Sequence, residues 1–295
     1  MEEKKKWAGT TYGNGWMHRS LISMLRYIDV RIIYSFVAVF VVPVCMIVNP
    51  GRRIIYKYFR ERWSYTPWKS FLKTYQNFYL FGQVVVDKFA MYAGKKFEIV
   101  IEGYDKFLEL ANREDGFLQL SAHIGNYEIA GYTLVAETKR FNALVYAGEK
   151  DSVMENRNRM FEDSNIRMIG IKSDMSHMFA INNALSDGEI VSMPADRLLG
   201  SAKSISHTFL NAPAKFPYGP FAVATSRSLD VLSVNVMKIS AKKYQIFVTP
   251  LSYQKDACRK EQVSQLSRAY VDELERLLKI YPEQWYNYFE FWKLH

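Results

Sequence analysis

The stretch LQLSAHIGNYEIAG, Leu118–Gly131, begins as an apolar strand and ends as the start of a helix. Between the two sits one histidine, His123, with Glu128 five residues further on. The ends of strands and the starts of helices are where α/β proteins place their chemistry. Neutral imidazole is a competent base near neutral pH. A carboxylate on its second nitrogen would fix the tautomer and stabilise the charged ring. The chain could fold Glu128, held ionised by the helix N-terminus, towards that nitrogen; on spacing alone the histidine could equally be a satisfied structural residue beside a strand. Gly125 permits a tight turn or a close approach, and Asn126 is placed to cap the helix.

Outward from this stretch, strands alternate with helices. KFEIVIEG (96–103) alternates as a strand ending at a glycine, and residues 104–115 read as a helix. FNALVYAG (141–148), IRMIGI (166–171) and EIVSMPA (189–195) read as strands. Helices are expected over 152–165 and 175–188, the second closed by Gly188. Two strands, 228–240 and 243–252, precede a long amphipathic helix over 260–282. This order predicts an α/β fold, a central mixed sheet covered by helices.

The N-terminal part differs in texture. Residues 1–20 have turn composition and read as flexible, residues 21–62 as helical and basic, and residues 66–93 as a helix with Pro67 in its first turn. The apolar block IIYSFVAVFVVPVCMIV, Ile32–Val48, has 17 residues, the lower limit for crossing a bilayer. Pro43 would kink it. Arg19, Arg26 and Arg31 precede it, and Arg52, Arg53, Lys57, Arg60 and Arg62 follow it. The expected division is a flexible, membrane-anchoring helical segment over 1–62 and an α/β domain over 63–295.

Composition excludes several classes. With 49% hydrophobic residues the chain can fill a core and is not disordered. The formal net charge of +9 suits anionic lipid or acidic protein partners. No basic run with interleaved aromatics suggests nucleic acid. The two cysteines, Cys45 and Cys258, define neither a disulfide framework nor a zinc site. No G-x-S-x-G elbow, H-E-x-x-H pair, phosphate loop or dinucleotide fingerprint occurs, and neither cofactor nor metal is expected. A histidine–carboxylate pair without a protein nucleophile implies that the substrate supplies it, most simply a hydroxyl attacking an activated acyl group.

Four blocks, in order, resemble a known family. LSAHIGNYEIAG is similar to the catalytic block of the lipid A late acyltransferases, the lauroyl/myristoyl branch of the lysophospholipid acyltransferase superfamily. IVSMPADRLLG (190–200) resembles its strand ending in Pro and Asp. TFLNAPAKFPYGPFAVATSRSLDVLSV (208–234) resembles its Gly-Pro segment with a following helix and strand. YPEQWYNYFEFW (281–292) resembles its C-terminal Pro-Glu-Gln-Trp block, for which a packing role is favoured. The resemblance implies a membrane-associated O-acyltransferase, moving a fatty acyl group from an acyl-carrier protein or coenzyme A thioester to a hydroxyl of a lipid acceptor. The acceptor would be a lipid A precursor or related glycolipid, at the cytoplasmic face of the bacterial inner membrane. On these matches His123 is the general base and Glu128 its assistant. Gly125, Asn126, Arg157, Arg159, Asp196 and Arg197 would bind or shape the substrate site, Arg197 meeting a phosphate and backbone N–H groups the oxyanion. Two alternatives keep the fold: a non-catalytic lipid-binding protein, and a thioesterase that uses water.

Overall fold

The computed structural model describes residues 15–134, 139–146, 165–171, 176–198 and 203–293. Its centre is a seven-stranded mixed sheet. In chain order the strands are β1 (Glu98–Glu102), β2 (Phe117–Ser121), β3 (Phe141–Tyr146), β4 (Ile166–Ile171), β5 (Ile190–Pro194), β8 (Val231–Ser240) and β9 (Lys243–Pro250). Across the sheet they run β1-β9-β8-β2-β5-β3-β4. All neighbours are parallel except β8 and β9, which form an antiparallel hairpin. Parallel strands joined by helices need both faces covered, and near-continuous apolar runs such as those in β2 and β8 meet that need.

Both faces carry helices. Phe117, Ile190 and Val234 look towards α6 (Tyr104–Ala111) and α7 (Tyr127–Thr133), whose Phe107, Leu110 and Ile129 complete one core. Leu118, Leu120, Val191 and Met193 look the other way, into a larger core. That core is shared with α5 (Pro67–Tyr92), α8 (Ser176–Ser186), α9 (Gly219–Ser226) and α10 (Arg259–Ile280). Successive residues of a strand thus serve opposite cores. Each fully buried large apolar side chain contributes about 1.5–3 kcal/mol.

Helix α5 starts where the sequence places it, with Thr66 Oγ1 accepting from the Lys69 N–H at 3.4 Å and Pro67 following. The N-terminal helices α1 (Gly15–Tyr27), α2 (Val30–Phe36), α3 (Val42–Val48) and α4 (Gly51–Glu61) add Leu25, Tyr34, Val42, Ile55 and Phe59 to the larger core. The chain is already helical at Gly15, inside the stretch expected to be flexible. Asp29 caps α2, accepting from the Arg31 N–H at 2.9 Å. Val37–Val41 wind as a π-helix, so Val30–Val48 is one continuous helix. Pro43 lacks an N–H and crowds the preceding turn; the wider turn before it absorbs both effects.

Residues 204–217 form a separate hairpin, β6 (Ser204–Phe209) and β7 (Ala212–Pro217), around a two-residue turn. Leu210 and Asn211 both have positive φ, 49° and 62°. That is the primed-turn geometry, built here without the usual glycine. The expected helix over 152–165 falls, but for its last residue, outside the described residues.

Candidate active site

Strand register builds the site. β2 and β5 are parallel neighbours, with Ser121 opposite Pro194. The Ala195 N–H donates to the Ser121 carbonyl at 2.9 Å, which carries the pairing one residue past the strand ends. His123 lies two residues beyond Ser121, and Asp196 two beyond Pro194. Equal offsets from paired residues set them side by side. His123 Nδ1 meets Asp196 Oδ1 at 2.7 Å, and the His123 backbone N–H donates to Asp196 Oδ2 at 3.0 Å. Two bonds from one carboxylate fix both ring and backbone. A carboxylate only accepts, so Nδ1 carries the proton and Nε2 is left with its lone pair. Among the described residues no hydrogen bond involves Nε2. The His123 side chain is 21% exposed against 1% for Asp196, so the ring faces an opening and the carboxylate is sealed behind it.

Burial acts to raise the Asp196 carboxyl. The His123 charge, its hydrogen bonds and the adjacent Arg197 outweigh that, and the carboxyl ends below its ordinary range. Asp196 is therefore ionised at neutral pH.

The sequence spacing points to Glu128 as the carboxylate on Nδ1, but the structure puts Asp196 there. Glu128, in the first turn of α7, pairs with Lys88 of α5 at 2.8 Å, both side chains about nine-tenths buried. Asp196, expected among the residues of the substrate site, holds the His123 ring and backbone. Local sequence could not reveal the pairing, which depends on the register of strands 73 residues apart. No motif marks Lys88 either.

Gly125 has φ +55°, and a Cβ on it would lie 1.7 Å from the Val236 carbonyl oxygen. The close approach is therefore made by β8. Asn126 is 2% exposed; its N–H donates to the Val236 carbonyl at 2.8 Å and its amide to the Tyr244 hydroxyl at 3.4 Å. It stands at the N-cap of α7 without a side-chain capping bond. Both residues shape the loop.

The C-terminal Pro-Glu-Gln-Trp block braces this loop from outside the sheet. The Gly125 N–H donates to the Gln284 carbonyl at 2.8 Å, and the Tyr286 N–H to the His123 carbonyl at 3.2 Å. Ile124 bridges antiparallel to Trp285. The Gln284 side chain pairs with both backbone groups of Lys238 at 2.8 Å. The N–H groups of His123, Gly125 and Asn126 are thus all engaged, so they do not supply the expected oxyanion donor. Arg197 donates through Nη2 to the Tyr286 carbonyl at 3.1 Å and lies 5.5 Å from the Phe289 ring centre. Burial pulls its basicity down. Arg157 and Arg159 lie outside the described residues. Tyr127 is exposed beside His123, its ring 5.9 Å from the imidazole at 68°.

A mixed α/β sheet with a carboxylate-held histidine at its carboxyl edge, in a chain that also carries a long apolar helix, defines a class: an α/β protein with a histidine–carboxylate pair at the strand ends. Comparison with known proteins makes this specific. The sequence profile of the bacterial lipid A biosynthesis acyltransferases matches residues 74–293. The chain belongs to that family and is an acyltransferase that transfers an acyl group to a lipid. No curated protein matches it. Among solved structures it is similar to the 1-acyl-sn-glycerophosphate (LPA) acyltransferase PlsC from Thermotoga maritima. The identity is 15%, the match covers 93% of this chain and 100% of that one, and the TM-score is 0.37, too loose to bear on the site.

Proposed function

We propose that His123 is the general base of an O-acyl transfer from an acyl-carrier protein or coenzyme A thioester to a hydroxyl of a lipid A precursor or related glycolipid. The observation that carries this is the His123–Asp196 pair, 2.7 Å long, with the ring facing an opening at the strand ends. Nε2 takes the proton of the acceptor hydroxyl as its oxygen attacks the thioester carbonyl. Asp196 stabilises the imidazolium that forms. Collapse of the tetrahedral intermediate releases the thiol, and the ring returns its proton to the departing sulfur. Glu128 acts on the loop through its ion pair with Lys88, and Tyr127 flanks the acceptor. Arg197, one residue beyond Asp196, is the charge that meets a substrate phosphate.

The enzyme would then work on the cytoplasmic face of the bacterial inner membrane. Val30–Val48 is long and apolar enough to cross a bilayer. One stripe of it, Val30, Tyr34, Val37 and Val42, is buried in the protein, while Ile32, Phe36, Val39, Phe40, Val44 and Ile47 are exposed. A helix docked along one side, with basic residues beyond both ends, suits a position within one leaflet. The basic surface suits anionic lipid and an acidic carrier protein alike.

The test incubates purified protein with labelled acyl-carrier and coenzyme A thioesters and a bacterial lipid extract, beside His123→Ala. A labelled lipid made by wild type and reduced to background in His123→Ala is the expected result. Release of free fatty acid alone would replace transfer by hydrolysis. Full activity in His123→Ala would remove the histidine from the chemistry.

A further inference from the structure

Behind the catalytic loop lies a buried polar cluster that the mechanism does not use. Asp87 of α5 is fully buried and Lys238 of β8 is 5% exposed. Lys238 Nζ pairs with Asp87 Oδ2. The hydroxyls of Tyr34, on the apolar helix, and Tyr244, on β9, both donate to Asp87. Lys238 Nζ also reaches the Tyr34 hydroxyl at 3.2 Å, the Tyr244 hydroxyl at 3.3 Å and the Ala241 carbonyl at 3.2 Å. Four separate elements therefore meet on one carboxylate.

Two routes lead from this cluster to the loop. Tyr244 accepts from the Asn126 amide at 3.4 Å. Lys238 holds the Gln284 side chain through its backbone, and the Gln284 carbonyl holds the Gly125 N–H at 2.8 Å. Both end on the two residues that follow His123–Ile124. Stability alone is a poor reason for such a cluster. Desolvating an ion pair costs several kcal/mol per ion, and apolar replacements of buried pairs are often neutral or stabilising. A fully satisfied buried network does fix geometry, because each member has few alternative partners.

We propose that Tyr34, Asp87 and Lys238 are positioning residues for the catalytic loop, and that through Tyr34 the apolar helix holds His123 in register for acyl transfer. This rests on His123 being the base. None of the three touches substrate. Each acts through Asn126 and Gly125, and small errors in placing a catalytic group are costly in rate.

The experiment measures kcat and KM for donor and acceptor, with thermal unfolding, in Tyr34→Phe, Asp87→Asn, the pair Asp87→Asn/Lys238→Met, and His123→Ala. Tyr34→Phe deletes one hydroxyl and leaves the ring, so it folds. Its kcat should fall roughly tenfold with both KM values unchanged. Asp87→Asn should fall further, and the double variant should keep a lowered kcat, because balancing the charge does not rebuild the bonds among Tyr34, Asp87, Lys238 and Tyr244; recovery of kcat to wild type in the double variant would make the pair structural and count against the proposal. Unchanged kcat in folded Tyr34→Phe, with only a lower unfolding temperature, would make the network structural and overturn the proposal. Should His123→Ala stay active, the reading of the base fails, separately from the Tyr34 result.

Discussion

Two segments bring a carboxylate to the His123 loop by different means: the first turn of α7 and the end of β5. Glu128 comes by chain proximity, five residues after the histidine, and its side chain turns to Lys88. Asp196 comes by sheet register, 73 residues away, and binds both the ring and the backbone of His123. Proximity in sequence supplies a motif. Proximity in a parallel sheet supplies the hydrogen bond. The helix direction at Tyr127 sends the Glu128 side chain towards α5, whereas adjacent strands run on past their ends and must place corresponding residues together.

Both segments share one loop, and the largest expected effect comes from breaking it. Gly125→Ala combines a left-handed backbone with a methyl group placed 1.7 Å from the Val236 carbonyl oxygen. The backbone cannot yield without losing the Asn126 N–H bond to that same oxygen. A destabilisation of about 3 kcal/mol or more is expected, read by denaturant unfolding. A wild-type midpoint would mean that the loop moves easily, and the two carboxylates could then exchange roles.

A smaller effect sharpens the Asp196 side alone. Its carboxyl is held below the ordinary value of 3.8, so the unfolded chain takes up its proton first as pH falls. The stability this contributes is fully present above about pH 4 and is lost as pH drops through the lower folded value. Acid unfolding followed by circular dichroism should therefore be less steep in Asp196→Asn than in wild type over that window. Superimposable acid transitions would show that Asp196 is not paired in the folded protein.

Much of this architecture is legible in the sequence, and the gaps have physical causes. The strand at 117–121 and the helix after Asn126 follow from periodicity, and the start of α5 from Thr66 and Pro67. Gly103 and Gly188, both at positive φ, end their segments as composition suggests. The hairpin at 204–217 was hidden because Leu210 and Asn211 make a positive-φ turn without a glycine. The first turns of α1, from Gly15, are hidden because Trp16 and Met17 are exposed and only His18 is buried there, against Phe89 of α5, a contact that local composition cannot express. His123 was legible from its place after a strand. Its partner was not, since pairing in a parallel sheet is written in no local pattern. The brace from Gln284 to Gly125 is hidden because it is an isolated long-range contact, with 159 residues between its ends.

The most direct test of the central claim is the single-turnover rate of acyl transfer in Asp196→Asn set beside Glu128→Gln. Both substitutions remove a charge and keep the shape. With Asp196 holding the Nδ1 proton, Asp196→Asn should lose about 10³-fold, because the amide can invert the tautomer of the base. Glu128→Gln, acting through Lys88, should lose about tenfold or less. A loss concentrated in Glu128→Gln, with Asp196→Asn close to wild type, would contradict the account and return the base's partner to the first turn of α7.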